Sequence, residues 1–300
     1  MSTSVSPSEN KSYGVASVCR IWKRSRATLY RQRARADATR PATPKRPGPQ
    51  GAASDADLVA AIRKVLANSP FHGEGYRKIW ARLRFAGLRT AKRRVLRLCR
   101  ENGLLAPHRQ GPARGPRAHD GTITTKRIDE MWGTDLTATA TVRDGQVAVF
   151  IAVDHCSAEC VGIHAAKRAD RFEALEPVRQ GVRENFGGFE AGVVKGLKLR
   201  HDHGSQYMAD DFQNEIEWLG LESSPSFVRA PEGNGCAERF IRTLKENLLW
   251  VQTFATVEEL RQALLDFKRR YNTEWLIERH GFRPPAAVRA EQLTPMALAA

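Results

Sequence analysis

The sequence predicts an α/β fold in which a mixed five-stranded sheet is flanked by helices and preceded by all-α helix-turn-helix units. Three observations lead there. Charge is split along the chain: residues 1–125 carry 26 Lys and Arg against 7 Asp and Glu, whereas residues 126–300 carry 22 against 26. Near Lys126 the apolar pattern switches from helical spacing to strand-like runs. Beyond about residue 166, short apolar runs alternate with helical stretches, the order expected of an α/β sheet with mixed strand directions. At 300 residues and 41% hydrophobic content the chain can bury a substantial core in one large or two to three small domains.

A basic half joined to a slightly acidic half suggests a polyanion-binding module attached to something that does different work, with nucleic acid as the leading partner. Basic membrane-surface helices need large aromatics on their apolar faces, and these Arg-rich segments have few. No apolar run approaches the roughly 20 residues that span a bilayer, and "MSTSVSPSENKSYG" has no apolar signal core, which predicts a cytoplasmic protein with no membrane partner. Five cysteines, spread widely, do not make a disulfide framework. His155, Cys156, Cys160 and His164 in "DHCSAECVGIH" read as side chains on or near buried strands in preference to a zinc site.

Taking the elements in order, residues 13–35 read as two short helices with a break near Lys23–Ser25, the second capped by Ser25 and carrying several arginines. "ATRPATPKRPGPQGAAS" is a linker by its Pro, Gly and small residues. A second helical unit runs from Asp55 to about Leu105, with Ser54 or Asp55 as cap, a break at "NSPFHGEG", a helix over Tyr76–Phe85, a turn at Gly87 and a last helix opening at Thr90. In that last helix Ala91, Val95 and Leu98 are expected to face inward. Arg93, Arg97 and Arg100 then form a basic stripe at i, i+4 and i+7, suited to a helix that enters the major groove; a solvated charged face is the alternative. "PHRQGPARGPRAHDG" is a second, basic linker.

Three strands follow, at 131–142, 147–154 and 159–165, the first two joined by an Asp-Gly turn at 144–145. A helix over "ADRFEALEPVRQGVRENFG", a short strand in "KGLKLRHD", a helix in "DDFQNEIEWLG" and a fifth strand in "LESSPS" complete the sheet. In "GNGCAERFIRTLKENL", Ala237, Ile241, Leu244 and Leu248 mark a buried helical stripe, with Glu238, Arg242 and Lys245 on its flank and a glycine-rich entry before it. Thr256–Tyr271 form another helix. Trp132 and Trp218 are expected in the core, and Asp154 as a strand-end acid.

Three acids stand out. Asp135 interrupts an otherwise apolar and threonine-rich strand, where a carboxylate is costly unless it is paired, at an edge or bound to a cation. Asp202 ends a strand and opens the small, polar turn "HGSQY", a place where α/β sheets put functional groups. Glu238 begins the later helix, with thirty-five residues between it and Asp202. Three carboxylates make a hard oxygen site suited to Mg²⁺ or Mn²⁺, and two such ions serve in-line phosphoryl transfer. Glu238 with Arg242 at i+4 also fits an ordinary exposed ion pair.

"MWGTDLT", "HDHGSQY" and "GNGCAERFIRTLKENL" together resemble the DDE catalytic core of bacterial insertion-sequence transposases of the OrfB type (the IS-three group) and of their relatives, the retroviral integrases. The resemblance runs over about residues 128–285, and "HGEGYRKIWARLRFAGLRTAKRRVLRLCRENGLLA" is similar to the helix-turn-helix that precedes such cores. It implies an RNase H-like sheet in which Asp135, Asp202 and Glu238 bind two divalent ions, Mg²⁺ or Mn²⁺, and in which Lys245 contacts substrate DNA. His203 and Gln206 are candidates for contacting DNA or for orienting Asp202; Arg242 joins Lys245 as a candidate DNA contact. Many relatives have "DNA" where this chain has "GNGC". The organisation expected is a helix-turn-helix-like segment (1–45), a linker (46–53), a DNA-binding helix-turn-helix domain (54–108), a basic linker (109–127), the catalytic core (128–255) and a C-terminal helical extension (256–300). The function implied is metal-dependent cleavage and strand transfer at the ends of an insertion sequence, by a homo-oligomer on double-stranded DNA, with an upstream OrfA product as a possible partner and the nucleoid as the place of work. A catalytically inactive regulator derived from a transposase and an RNase H-like nuclease are the alternatives.

Overall fold

Helices Val15–Ile21 (α1) and Arg26–Asp37 (α2) meet at Lys23, whose positive φ of 49° turns the chain between them. They belong to the first of two units, Met1–Ala52 and Ala53–Ala300, in a computed structural model of the protein that describes residues 4–37, 53–107, 123–226 and 231–298. The expected linker at 46–53 and most of the basic linker at 109–127 lie outside the described residues.

The second unit opens with three helices, Asp55–Asn68 (α3), Tyr76–Phe85 (α4) and Lys92–Glu101 (α5). Ser54 starts α3 with a capping box, its hydroxyl accepting from the Asp57 N–H at 3.1 Å while the Asp57 carboxylate accepts from the Ser54 N–H at 3.3 Å. Leu58, Ile62, Ile79, Leu83, Val95, Leu98 and Cys99 close a small core between the three. Val95 and Leu98 face inward as expected, but Ala91 is exposed, because α5 begins one residue later and Ala91 serves as its cap.

Strands Met131–Thr141 (β1), Gly145–Asp154 (β2), Cys160–Ala166 (β3), Lys198–His201 (β4) and Glu222–Pro225 (β5) form one sheet in the order β3-β2-β1-β4-β5. The first three strands are antiparallel neighbours joined by short turns, whereas β4 and β5 run parallel to β1 after helical crossovers. This is the mixed RNase H-like sheet that the sequence predicts. Helices Arg171–Phe186 (α6), Ser205–Met208 (α7) and Asp210–Leu219 (α8) build one side of it, packing around Trp132, Phe150, Tyr207 and Phe212. Gly162 on β3 lets α6 approach, since a Cβ there would collide with the backbone of Pro177.

Helices Gly235–Leu244 (α9) and Val257–Glu274 (α10) cover the other side, where Val149, Ile151 and Val153 of β2 meet Ala237, Phe240, Leu244, Leu264 and Phe267. Ala237, Ile241, Leu244 and Leu248 are all buried, the stripe that their spacing predicts. A single π-helical turn over Lys245–Leu249 continues α9. Helix Pro285–Leu298 (α11) ties the ends of the sheet together, its Arg289 gripping Asp129 at 2.7 and 2.8 Å and also pairing with Glu159. The α3–α5 group docks on this face: Phe71 sets its ring edge against Phe267 and Trp275, the His72 N–H donates to the Asn247 amide oxygen at 2.7 Å, and Arg77 pairs with Glu278 at 2.8 Å.

Asp154 ends β2 as a buried turn acid, accepting from the Ser157 N–H and hydroxyl and from the Asp129 N–H. Trp132 is fully buried, but Trp218 is 46% exposed beside Phe189 at the surface, so the core expectation fails there. Helix α8 buries Phe212, Ile216 and Leu219, and Trp218 falls off that stripe. No described helix is long and apolar enough to cross a membrane.

Candidate active site

Register decides which acids can meet. Along β1 and β4 the parallel pairs are Met131↔Lys198, Trp132↔Leu199 and Gly133↔Arg200, after which the strands part, and Asp135 on β1 and Asp202 just past β4 each lie two residues beyond that last pair. Across the antiparallel pair, Asp135 stands opposite Ile151, a residue of the core that α9 and α10 cover. Residues directly opposite share a face, so Asp135 points to the side from which Glu238, in the first turn of α9, arrives.

The electrostatics agree with that placement. Burial pushes the Asp135 carboxyl up to about 6, and the nearby charges of Asp202 and Glu238 push it the same way; the Leu136 N–H, which donates to it at 2.8 Å, and the charge of Lys245 act against them. The other three side chains named in the resemblance, Asp202, Glu238 and Lys245, thus all act on Asp135. The carboxylates are turned partly aside: Asp202 accepts from the Gly204 N–H at 2.8 Å, closing its own turn, and Glu238 is exposed. Among the described residues no three His, Cys, Asp or Glu side chains are gathered closely enough to hold an ion as they stand. The donor set is nonetheless all carboxylate oxygen, and its mutual repulsion is of the kind that a divalent cation relieves, so the residues fit Mg²⁺ or Mn²⁺.

The surrounding residues fall into two groups. Lys245 is half-buried at the start of the π-helical turn, one to two turns beyond Glu238. Arg242 is exposed and pairs with Glu246 at 3.0 Å. His203 is exposed in the loop after β4, and the Gln206 amide folds back over Gly204. On α5, the basic stripe is split: Arg93 and Arg100 are exposed, whereas Arg97 is held by Asp55 at 2.6 Å and by Glu101 at 2.7 Å. His155, Cys156 and Cys160 are buried, and His164 bonds to Glu173 at 2.6 Å.

Sequence reasoning assigned no role to two residues of this site. Tyr207 is fully buried, and burial raises its hydroxyl well above the usual range; its hydroxyl has no hydrogen-bond partner among the described residues, and Asp135 and Asp202 lie close enough to act on it. Its place inside "HDHGSQY" was the available signal. Asn234, four residues before Glu238, is buried against β1, where its amide donates to the Thr134 carbonyl at 2.9 Å. The glycine-rich entry to α9 is thus packed at Gly233 and Asn234, not loose.

Profiles of known families match nearly all of the second unit. An HTH-like domain matches residues 53–111, an integrase core domain residues 126–231, and a second integrase core domain profile residues 219–285. Transposase InsD for insertion element IS2A/D/F/H/I/K of Escherichia coli is 28% identical over 228 residues, 74% of each chain. The chain thus carries matches to an HTH-like domain followed by an integrase core domain, and it is similar to insertion-element transposases. Two solved structures resemble this chain in part. The catalytic core domain of BIV integrase is 18% identical, covers 56% of this chain and 99% of its own, and has a TM-score of 0.40. The HTLV-2 integrase catalytic core domain in complex with magnesium, in its trimeric form, is 15% identical, covers 54% of this chain and 96% of its own, and has a TM-score of 0.40.

Proposed function

We propose that this chain is a transposase that cuts and joins DNA at the ends of its own insertion element through Asp135, Asp202 and Glu238, with two divalent ions, Mg²⁺ or Mn²⁺, held between them. The observation that carries the reading is that Asp135, on the face approached by α9, and Asp202 both lie two residues beyond the last β1–β4 pair, together with the raised Asp135 carboxyl on which Asp202 and Glu238 act. When bound, the ions supply Lewis acidity to the attacking hydroxyl and to the leaving oxygen of a phosphodiester. Asp135 provides a ligand fixed on a strand, Asp202 one held in the turn that follows β4, and Glu238 an adjustable third on a helix. Lys245, set along α9 by roughly 10 Å at ~1.5 Å per residue, takes a phosphate of the DNA lying across the site. Arg242 joins it by exchanging Glu246 for phosphate. His203 and Gln206 line the turn that follows Asp202, where they meet the scissile strand.

Arg93 and Arg100 of α5 contact the element's end in the major groove, and Arg97 holds that helix against α3 through Asp55. The domain boundaries given above delimit end recognition (54–108), cutting and joining (128–255) and a helical extension (256–300), with the segment 1–45 as a further DNA-binding helix pair. Cutting both ends of an element needs two active sites, so the working form is a homo-oligomer assembled on double-stranded DNA, at the nucleoid in the cytoplasm, with an OrfA product as the partner in recognition.

The test is strand transfer of a labelled, pre-cleaved end duplex into plasmid DNA. Wild type joins the two with Mg²⁺ or Mn²⁺ and not with Ca²⁺ alone, and Asp202→Asn binds the end but does not join it. An Asp202→Asn protein that joins as well as wild type would sink the assignment.

A further inference from the structure

Asp135 is set on β1 and Asp202 in the turn just past β4, but Glu238 comes from a separate element, and its long side chain reaches the aspartates only if α9 enters at the right place. The residues just before it supply that control. Asn234 stands at the cap of α9, yet its side chain makes no capping bond to the helix. It is 6% exposed, and its amide donates instead to the carbonyl of Thr134, the residue before Asp135, at 2.9 Å. The β1–β4 ladder has its last pair at Gly133↔Arg200, so Asn234 takes up the first β1 carbonyl beyond the point where the two strands part.

The wedge is tight on both flanks. A Cβ on Gly133 would lie 2.5 Å from the Asn234 amide oxygen and 2.6 Å from His155 Nε2, and the His155 ring is itself fixed by Nδ1–H donating to the Ile123 carbonyl at 2.9 Å. A Cβ on Gly233 would lie 2.5 Å from the guanidinium of Arg200, which is on β4 two residues before Asp202 and bonds Ser224 at 3.1 Å. Two consecutive residues thus touch both aspartate-bearing strands. Glu238 follows Asn234 by four positions, one helical turn along the same face.

We infer that Asn234 is a positioning residue for the third carboxylate: wedged in the fork between β1 and β4, it sets where Glu238 stands relative to Asp135 and Asp202. The inference rests on the reading of these three acids as cation ligands. Asparagine suits the place because its short side chain carries the N–H donor that the Thr134 carbonyl accepts. Serine is too short to reach the Thr134 carbonyl yet still caps a helix, and alanine removes that donor.

The test measures Mn²⁺ affinity of the full chain on its end duplex, by the electron paramagnetic resonance of free Mn²⁺, for wild type, Asn234→Ala, Glu238→Gln and the double variant. Asn234→Ser serves as the variant that keeps a good helix cap. Outer residues that orient ligands are worth roughly 10–100-fold in metal affinity, and Asn234→Ala is expected to lose that much, with Asn234→Ser losing less, while binding of the end duplex stays within about twofold. Because Asn234 acts through Glu238, its loss disappears in the Glu238→Gln background, a coupling that a merely structural role would not give. Unchanged Mn²⁺ affinity in Asn234→Ala and Asn234→Ser, or a loss that simply adds to that of Glu238→Gln, would overturn the inference and leave the triad intact. A Glu238→Gln protein that binds Mn²⁺ like wild type would overturn the triad, and the inference with it.

Discussion

Asp55 and Asp135 are the same residue type in opposite electrostatic situations. Asp55, at the start of α3, lies between Arg97 and Arg94 of α5, and their hydrogen bonds hold its carboxyl below the usual carboxylate range. Asp135, on β1, is pushed up to about 6 by burial and by two further acids. The first arrangement satisfies its charges within the fold and contributes to keeping three helices together. The second keeps a largely buried carboxyl within electrostatic reach of two further acids, an arrangement that costs stability and suits a cation ligand. The lesson is that a chain with a large excess of base in its first part spends several arginines on internal pairing, while its catalytic part keeps carboxylates clustered.

That contrast can be broken in several ways, the largest first. Replacing Asp202 or Asp135 with Asn is expected to lower strand transfer by about 10³-fold or more while leaving end binding within a few-fold, as read by gel mobility and joining assays run side by side. A parallel fall in both would mean that these acids serve folding. Lys245→Ala is expected to weaken joining by roughly one to two orders of magnitude and to flatten the salt dependence of DNA binding by about one unit in log–log slope. An unchanged slope would remove Lys245 from phosphate contact.

Stability separates the two aspartates by sign. The Asp135 carboxyl in the folded protein lies above its ordinary value of 3.8, so the folded state binds its proton more tightly and loses stability as pH rises from about 4 to about 6. Without divalent ions, Asp135→Asn should therefore stabilise the protein above pH ~6, by roughly 2–3 kcal/mol for a shift of about two units, with the gain fading as pH falls toward 4. Asp55 is displaced downward, so it stabilises the fold at neutral pH and loses that contribution as pH falls through its lowered value. Asp55→Asn should accordingly lower the melting temperature slightly near neutral pH, an effect kept small by its exposure. Thermal melts at several pH values test both signs, and a stabilised Asp55→Asn with a destabilised Asp135→Asn would reverse the comparison. The smallest effect belongs to α5: Arg93→Ala and Arg100→Ala each weaken end binding several-fold with unchanged melting, whereas Arg97→Ala lowers melting first.

Much of this was legible in the sequence because it is local. The stripe Ala237, Ile241, Leu244, Leu248 follows from helical period, and the Asp-Gly turn is visible in the chain, its glycine adopting a φ of 71° at Gly145. The mixed sheet follows from three adjacent strands and two crossovers. What could not be read depends on contacts between distant segments. Arg97 looked like its neighbours in a basic stripe until α3 placed Asp55 beside it. Trp218 was read as core because tryptophan usually is, although it falls off the buried stripe of its own helix. That Asp135 and Asp202 both fall two residues past the last β1–β4 pair is a property of strand pairing, which spacing along the chain does not encode. Asn234 was hidden for the same reason: its partners, Thr134 and Gly133, lie about a hundred residues earlier.

The central claim is that the clustered carboxylates exist to hold cations, and proton release tests it most directly. Near pH 6 the Asp135 carboxyl is about half protonated, so cation binding must displace that proton. Calorimetric titration of Mg²⁺ or Mn²⁺ into the protein bound to its end duplex, repeated in buffers of different ionisation enthalpy, is predicted to show roughly half a proton released per chain near pH 6, falling toward none near pH 8 and absent in Asp135→Asn. Cation binding that releases no proton near pH 6, or that proceeds identically in Asp135→Asn, would contradict the account.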